Sequence, residues 1–261
     1  MAAPVRAERS AAAGFPRRDG KLHCEGVSLA GIALAQQTPT YVYSGAEIDA
    51  AFGAIRSAMS AATDRDVLIA YAIKANANMA ILERLARHGC GADIVSGGEL
   101  LRAKTAGIDP SRIVFSGVGK RAEEIRAAIE SGIRAIHVES VPELDVVASE
   151  ARALGTKARI ALRVNPDVDA ETHPYIATGL HGTKFGLELD VARGVLGRIV
   201  SSPDLQLEGV ACHIGSQLGS TAPLTEAVAI LGRCALECRA AGASLRSLDV
   251  GGGWPMHYGC E

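Results

Sequence analysis

Lys74 ends the apolar run Val67-Leu68-Ile69-Ala70-Tyr71-Ala72-Ile73. A run apolar on both faces belongs inside a parallel sheet covered by helices. A lysine at its end must reach water, meet an acid or take part in chemistry. Strand alternation puts Ala70, Ala72 and Lys74 on one face and Tyr71 and Ile73 on the other. Two readings follow: a solvent-reaching lysine, the commonest fate of this residue, or an amine that condenses with a carbonyl. A second motif bears on the choice. In SLDVGGG a strand runs directly into Gly251, Gly252 and Gly253, where backbone N–H groups can approach a phosphate without side-chain obstruction. A tight turn would need only two glycines. In CHIGSQ, His213 is either a satisfied core histidine or a ring ligand, and Ser216 is either a helix cap or a ligand. An aromatic ligand lying between the lysine and a phosphate site accounts for these residues together.

Two further charges need partners. Asp93 stands at a strand end and is a candidate partner for the lysine or for a cofactor. Arg163, within LRVNP, sits among apolar residues, where a guanidinium requires an acid or an anion. SGGE at 96–99 matches a capping box, so Ser96 and Glu99 are assigned mainly to starting a helix.

The elements that must position these groups alternate from about residue 66 onward. Strands are expected at 67–73, 92–95, 113–116, 135–138, 159–164, 208–213 and 247–250. Amphipathic segments such as MAILERLARHG, GGELLRAKTAG, RAEEIRAAIESG and VPELDVVASEARALG lie between them, three ending in Gly89, Gly107 and Gly132, as helix C′ positions do. Unbroken βα alternation implies an α/β fold with a parallel sheet. No Gly-x-Gly-x-x-Gly follows the first strand, and polar residues gather at nearly every strand's carboxyl end. Both features favour a (β/α)8-type TIM barrel, whose active sites sit at that mouth. Seven of the eight strands are present in the sequence. The organisation expected is a flexible tail over 1–20, an N-terminal piece of a second β domain over 21–45, including the strand-like TYVYS, and the incomplete barrel over 46–261.

Composition sets the limits. Of 261 residues, 48% are hydrophobic and 21% charged, with a formal net charge of −2, which suits a soluble globular protein. That balance offers no electrostatic case for nucleic acid or an anionic membrane, and no apolar run reaches the length of a membrane span. The Ala/Arg-rich start lacks the apolar core of a secretory signal, a transit peptide being the competing reading. Six scattered cysteines show no CxxC and no metal spacing, and Cys234 and Cys238 are expected as buried thiols in a reducing cytoplasm.

Taken together, YAIKANAN, ADIVSGGEL, LRVNP, HPYIATGLHGTKFG, CHIGSQ and LDVGGG resemble, in order, the blocks of the pyridoxal-phosphate decarboxylases of the alanine-racemase-like barrel class, and most closely the diaminopimelate branch. The resemblance runs from about Gly26 to Gly253. It implies that Lys74 holds pyridoxal 5'-phosphate covalently and that His213 stacks on the pyridine ring. It also implies that Ser216 and Gly251–Gly253 bind the phosphate, with Asp93 and Arg163 in the surrounding shell. The implied reaction removes a carboxylate from meso-2,6-diaminopimelate, giving L-lysine and carbon dioxide, in a homodimer when full length.

The sequence departs from that pattern after Gly253, where Trp254-Pro255-Met256-His257-Tyr258 replaces the usual Leu-Gly-Val/Ile-Pro-Tyr. An eighth-strand Glu-Pro-Gly-Arg segment and a C-terminal β domain are expected by the resemblance and are not in the sequence, so the chain reads as a fragment inactive alone. Two alternatives stay open: a non-catalytic pyridoxal-phosphate-binding homeostasis barrel, and a related ornithine or arginine decarboxylase, which shares the YAxKAN motif.

Overall fold

The computed structural model describes residues 14–168 and 185–255. Two sheets are present among them. Three short strands, β1 (Arg17–Arg18), β2 (Lys21–Cys24) and β3 (Val27–Ser28), form an antiparallel sheet in the order β1-β2-β3. Residues 14–20 therefore do not trail as a tail. Arg18 pairs with Lys21 across a two-residue turn in which Asp19 and Gly20 have φ of 48° and 74°. Asp-Gly between short runs is a hairpin signal that the sequence reading passed over. The remainder of the expected tail, 1–13, lies outside the described residues.

Helices α1 (Leu29–Gln36) and α2 (Gly45–Ala62) follow. The intervening TYVYS, read as strand-like, is not a strand: Tyr41 is 87% exposed and residues 38–44 carry no ladder. Aromatic β-propensity without a neighbouring strand gives no ladder. Its last residue, Ser44, instead caps α2, accepting the Glu47 N–H at 3.2 Å.

The larger sheet is assembled from β4 (Ala70–Ala72), β5 (Gly91–Ile94), β6 (Ile113–Phe115), β7 (Ala135–Val138), β8 (Ala158–Asn165), β9 (Leu187–Glu188), β10 (Leu205–Ala211) and β11 (Ser247–Asp249). Seven of these run in the order β11-β10-β8-β7-β6-β5-β4, all parallel, and β9 pairs off that path with the end of β8. The seven expected strands are all found: Ala135–Val138 keeps its expected bounds, Ala158–Asn165 is one residue longer at each end, and the rest are shortened or shifted by a few residues. β9 was not expected, since two residues of pairing leave no periodic trace. The sheet curls into part of a barrel, and β4 and β11 each pair on one side only among the described residues.

Helices α3 (Met79–Arg87), α4 (Gly97–Thr105), α5 (Ala122–Glu130), α6 (Val141–Ala153), α7 (Leu189–Val200) and α8 (Ala222–Ala240) alternate with the strands. Their starts and stops are local chemistry. Asn78 accepts the Ala80 N–H at 3.0 Å to open α3, and Ser96 and Ser140 accept the N–H groups of Glu99 and Glu143, each at 3.2 Å. Gly89, Gly107 and Gly132 all take positive φ just past their helices, as expected. Among the described residues, no helix is long and apolar enough to cross a membrane.

Strand alternation divides the sheet into two chemically different faces. Ala92, Ile94, Ile113, Phe115, Ile136, Val138, Ile160 and Leu162 belong to one buried core with helix residues such as Leu82, Ile125, Leu144 and Leu231. Cutting one of the larger of these to alanine would cost roughly 2–5 kcal/mol. Asp93, His137 and Arg163 alternate with those core residues and so point to the other, concave face. That face carries the chemistry.

Candidate active site

Lys74 is not the last residue of β4. The strand stops at Ala72, and Ile73–Ala75 form one turn of 3-10 helix whose Ile73 is fully buried. The turn lifts Lys74 clear of the sheet, so that its side chain is 56% exposed and its Nζ stands 3.6 Å from Asp93 Oδ2 on β5. The expected alternation of Ala70, Ala72 and Lys74 on one strand face therefore fails at its last member, although the lysine still reaches the mouth. Asp93 Oδ1, the other oxygen, is buried and has no hydrogen-bond partner.

On the opposite side of the mouth, β10 and β11 end side by side. The Cys212 N–H donates to Asp249 O at 2.9 Å, and the Leu218 N–H donates to Gly253 O at the same length. Between these bonds the glycine run folds over His213: the Gly252 N–H points at His213 Nδ1 at 3.4 Å. Gly251 and Gly253 have φ of 75° and 93°. A Cβ on Gly251 would come within 2.6 Å of Cys212 O, and one on Gly253 would overlap the carbonyl oxygen of Gly215. A Cβ on Gly252 would meet nothing within 4 Å, so this glycine faces open space. Three glycines are needed here for different reasons, two by conformation and contact and one by openness.

His213 is pushed down to about 4, first by burial, then by the Arg163 and Lys74 charges, with Asp93 and Asp249 opposing. The ring is thus neutral at neutral pH. Those four charges come from β4–β11 ends spread around the sheet, which shows how closely its curl gathers them. Ser216 lies exposed on the following loop. It is no helix cap, because α8 starts at Ala222 after Thr221.

Arg163 finds the acid that its setting required. Its Nη1 donates to Glu139 Oε1 at 2.8 Å, both side chains being at least nine-tenths buried, and its guanidinium lies 5.2 Å from the Phe185 ring centroid. The same Glu139 oxygen accepts the Gly117 N–H at 2.6 Å, whereas Glu139 Oε2 is buried without a partner. Most of the HPYIATG…KFG block, Lys184 included, lies outside the described residues; Phe185 and Gly186 are its described end.

Three groups of the concave face escaped the sequence reading. His137 is 4% exposed, and its Nδ1 is hydrogen-bonded with the Ser116 hydroxyl at 3.1 Å. Asp249 accepts the Gly251 N–H at 2.8 Å through Oδ1 and faces His137 Nε2 at 3.7 Å through Oδ2. Lys120 is buried, with Nζ donating to Gly117 O, His137 O and Glu143 Oε1 at 2.5, 2.8 and 2.5 Å. A signal existed for two of them: a histidine inside the apolar strand AIHV, and an acid two residues ahead of the glycine run.

These features match what pyridoxal phosphate requires. An exposed amine beside Asp93 can condense with its carbonyl, a neutral imidazole is held at the mouth, and an open glycine loop can meet an anion. Two buried carboxylate oxygens lack partners. Among the described residues no cluster of His, Cys, Asp or Glu is suited to a metal ion.

Comparison with known proteins agrees. Residues 46–261 match the family model for the pyridoxal-dependent decarboxylase, pyridoxal binding domain. A Pseudomonas aeruginosa diaminopimelate decarboxylase is 46% identical over 244 residues, covering 94% of this chain and 58% of its own length. A Helicobacter pylori diaminopimelate decarboxylase solved with L-lysine superposes with a TM-score of 0.83 at 44% identity, over 88% of this chain and 58% of that one. The corresponding M. jannaschii enzyme, also with L-lysine, gives 0.87 at 36% identity, over 94% and 57%. The chain thus spans a little under three-fifths of the length of the relatives it matches. Residues 46–261 place the chain in the family of pyridoxal-dependent decarboxylases, as their pyridoxal-binding domain.

Proposed function

We propose that this chain is the cofactor-binding part of a diaminopimelate decarboxylase, which converts meso-2,6-diaminopimelate to L-lysine and carbon dioxide. One observation carries the reading: Lys74 with Asp93, and His213 with Gly251–Gly253, close on one mouth from opposite edges of the curled sheet. The names of the relatives, and the L-lysine held by two of them, point to this substrate among the decarboxylases.

In this proposal each residue has a separate task. Lys74 anchors the cofactor's carbonyl carbon, and Asp93 holds the amine toward it through opposite charge. His213, neutral, offers the flat face of its ring to the pyridine without bringing a competing charge. The turn Gly251, Gly252 and Gly253, open at Gly252, receives the phosphate against its backbone, with Ser216 adding a hydroxyl. Arg163, locked by Glu139, supplies fixed positive charge behind the ring. When bound, pyridoxal phosphate supplies the electron sink for the carbon that loses its carboxylate.

The reading extends to the rest of the protein. Residues 21–45, together with the β1 strand that pairs with them, form a piece of a second, β-rich domain, and the whole enzyme is a cytoplasmic homodimer. The described cysteines, Cys24, Cys90, Cys212, Cys234 and Cys238, are all free thiols and buried, in keeping with a reducing compartment.

The test has two parts. Borohydride reduction of protein incubated with pyridoxal phosphate should fix the cofactor on Lys74; an adduct on Lys104 or Lys184 instead would end the assignment. Carbon dioxide release by the whole enzyme should be faster from meso-diaminopimelate than from ornithine or arginine at equal concentration. Preference for either of the latter would move the chain to the ornithine/arginine branch.

A further inference from the structure

His137 stands at the centre of a connection that crosses the sheet. It belongs to β7, whereas Asp249 belongs to β11, and the order β11-β10-β8-β7 puts three strand spacings between them. On a flat sheet that is about 14 Å. The curl brings His137 Nε2 to 3.7 Å from Asp249 Oδ2. The other side of the ring is anchored at 3.1 Å to Ser116 Oγ on the segment that follows β6. The other oxygen of Asp249 holds the Gly251 N–H at 2.8 Å. Ser116, His137, Asp249 and Gly251 therefore form one chain of contacts from the middle of the sheet to the glycine run.

One tautomer of the ring suits both of its neighbours. A proton on Nε2 faces the Asp249 carboxylate and leaves Nδ1 to accept from the Ser116 hydroxyl. Burial lowers the proton affinity of His137, with Asp249 and Asp93 opposing and Lys120 and Arg163 adding to the effect. A neutral ring suits this role, since it presents one N–H to the carboxylate and accepts the hydroxyl on the other side. Lys120 fixes the backbone beside it by donating to His137 O at 2.8 Å.

We propose that His137 is a positioning residue for the phosphate-binding glycine loop, acting through Asp249, which it aligns so that the Gly251 N–H is tied down and the turn after it, at Gly252, stands open to the anion. The side chain of His137 meets Ser116 and Asp249. Its effect passes through one carboxylate, and it should be felt only by ligands that carry a phosphate. The inference rests on the reading above that Gly251–Gly253 bind that phosphate.

Two isosteres separate the ends of the ring. Asn at 137 keeps an amide near the Nδ1 position, toward Ser116, and loses reach to Asp249. Gln places its amide nitrogen near the Nε2 position, toward Asp249. The measurement is equilibrium affinity of the full-length protein for pyridoxal phosphate and for pyridoxal, which lacks the phosphate, with thermal unfolding followed in parallel. His137→Asn should lower pyridoxal phosphate affinity about tenfold, as the Asp249 carboxylate loses the group that faces it, while pyridoxal affinity stays within about twofold. His137→Gln should retain most of the phosphate preference. Ser116→Ala, which removes only the far anchor of the ring, should lose about threefold, and it serves in place of His137→Asn if that variant does not fold.

Gly252→Asp tests the underlying reading separately. It adds a carboxylate in open space without clash, and should abolish the preference for the phosphorylated ligand by repulsion. If Gly252→Asp leaves that preference intact, the glycine loop is not the phosphate site and both ideas fall. If Gly252→Asp abolishes it while His137→Asn and Ser116→Ala keep the parent value, only the role of His137 is overturned. Equal loss of pyridoxal and pyridoxal phosphate affinity in His137→Asn would likewise overturn it, because that is the mark of general damage.

Discussion

His213 and Arg163 carry opposite lessons about burial at the scale of single residues. His213 is held at about 4 in the fold against an ordinary 6.5, and burial is the main cause. An unfolded chain therefore takes up the proton first as pH falls. The contribution of this ring to the stability of the cofactor-free protein should be constant above about pH 6.5, decline from there to about pH 4, and change no further below, the loss being at most about 3 kcal/mol. Urea unfolding at several pH values checks this, and His213→Gln should flatten the profile over that window. His137, lowered in the same direction, adds to the same slope. Arg163 is satisfied by Glu139 at 2.8 Å. Arg163→Ala leaves a buried carboxylate alone, and a stability loss of roughly 3–5 kcal/mol should follow in calorimetry. The same change should be far milder if Glu139→Gln is made with it.

At the scale of elements, the glycine loop and the helix caps differ in what they protect. Gly253 combines φ of 93° with contact against Gly215, so a side chain there strains the backbone and displaces the turn. Gly253→Ala should cost about 1–3 kcal/mol from the backbone conformation alone. It should also weaken pyridoxal phosphate binding, readable by retention of bound cofactor on gel filtration. Ser96→Ala removes only the cap of α4, an acceptor for the Glu99 N–H at 3.2 Å. It should lower stability by about 1 kcal/mol and leave cofactor uptake unchanged. If Ser96→Ala instead strips the cofactor, the assignment of SGGE to helix initiation would be wrong.

For the whole molecule the decisive fact is coverage: the chain matches 58% of the length of its relatives. β4 and β11 each have a strand on one side only among the described residues. Unpaired parallel edges invite association with other chains. The 261-residue chain by itself should be less soluble than a chain extended to the length of the relatives, and analytical ultracentrifugation would show the difference. Cofactor binding should survive in the shorter chain, because Lys74, His213 and the glycine loop are all within it. Carbon dioxide release from meso-diaminopimelate should require the longer one. Comparable turnover by the two would show that the shorter chain holds the complete catalytic set.

The sequence by itself determined what depends on neighbours along the chain. Seven strands and the helices between them were legible because period-two and period-3.6 patterns are local, and so were the C′ positions of Gly89, Gly107 and Gly132. Lys74, Asp93, His213 and the glycines could be picked out because polar groups at the ends of apolar strands need a reason to be there. Other features were decided only by the tertiary structure. TYVYS has strand composition but no strand beside it, and Lys74 leaves the sheet on a 3-10 turn set by the burial of Ile73. The pairing of Arg163 with Glu139, the burial of Lys120 and the approach of His137 to Asp249 join residues 24, 17 and 112 positions apart. No periodicity encodes such contacts. They arise from sheet curl, which sums the twist of successive strands and brings together side chains that no local interaction relates.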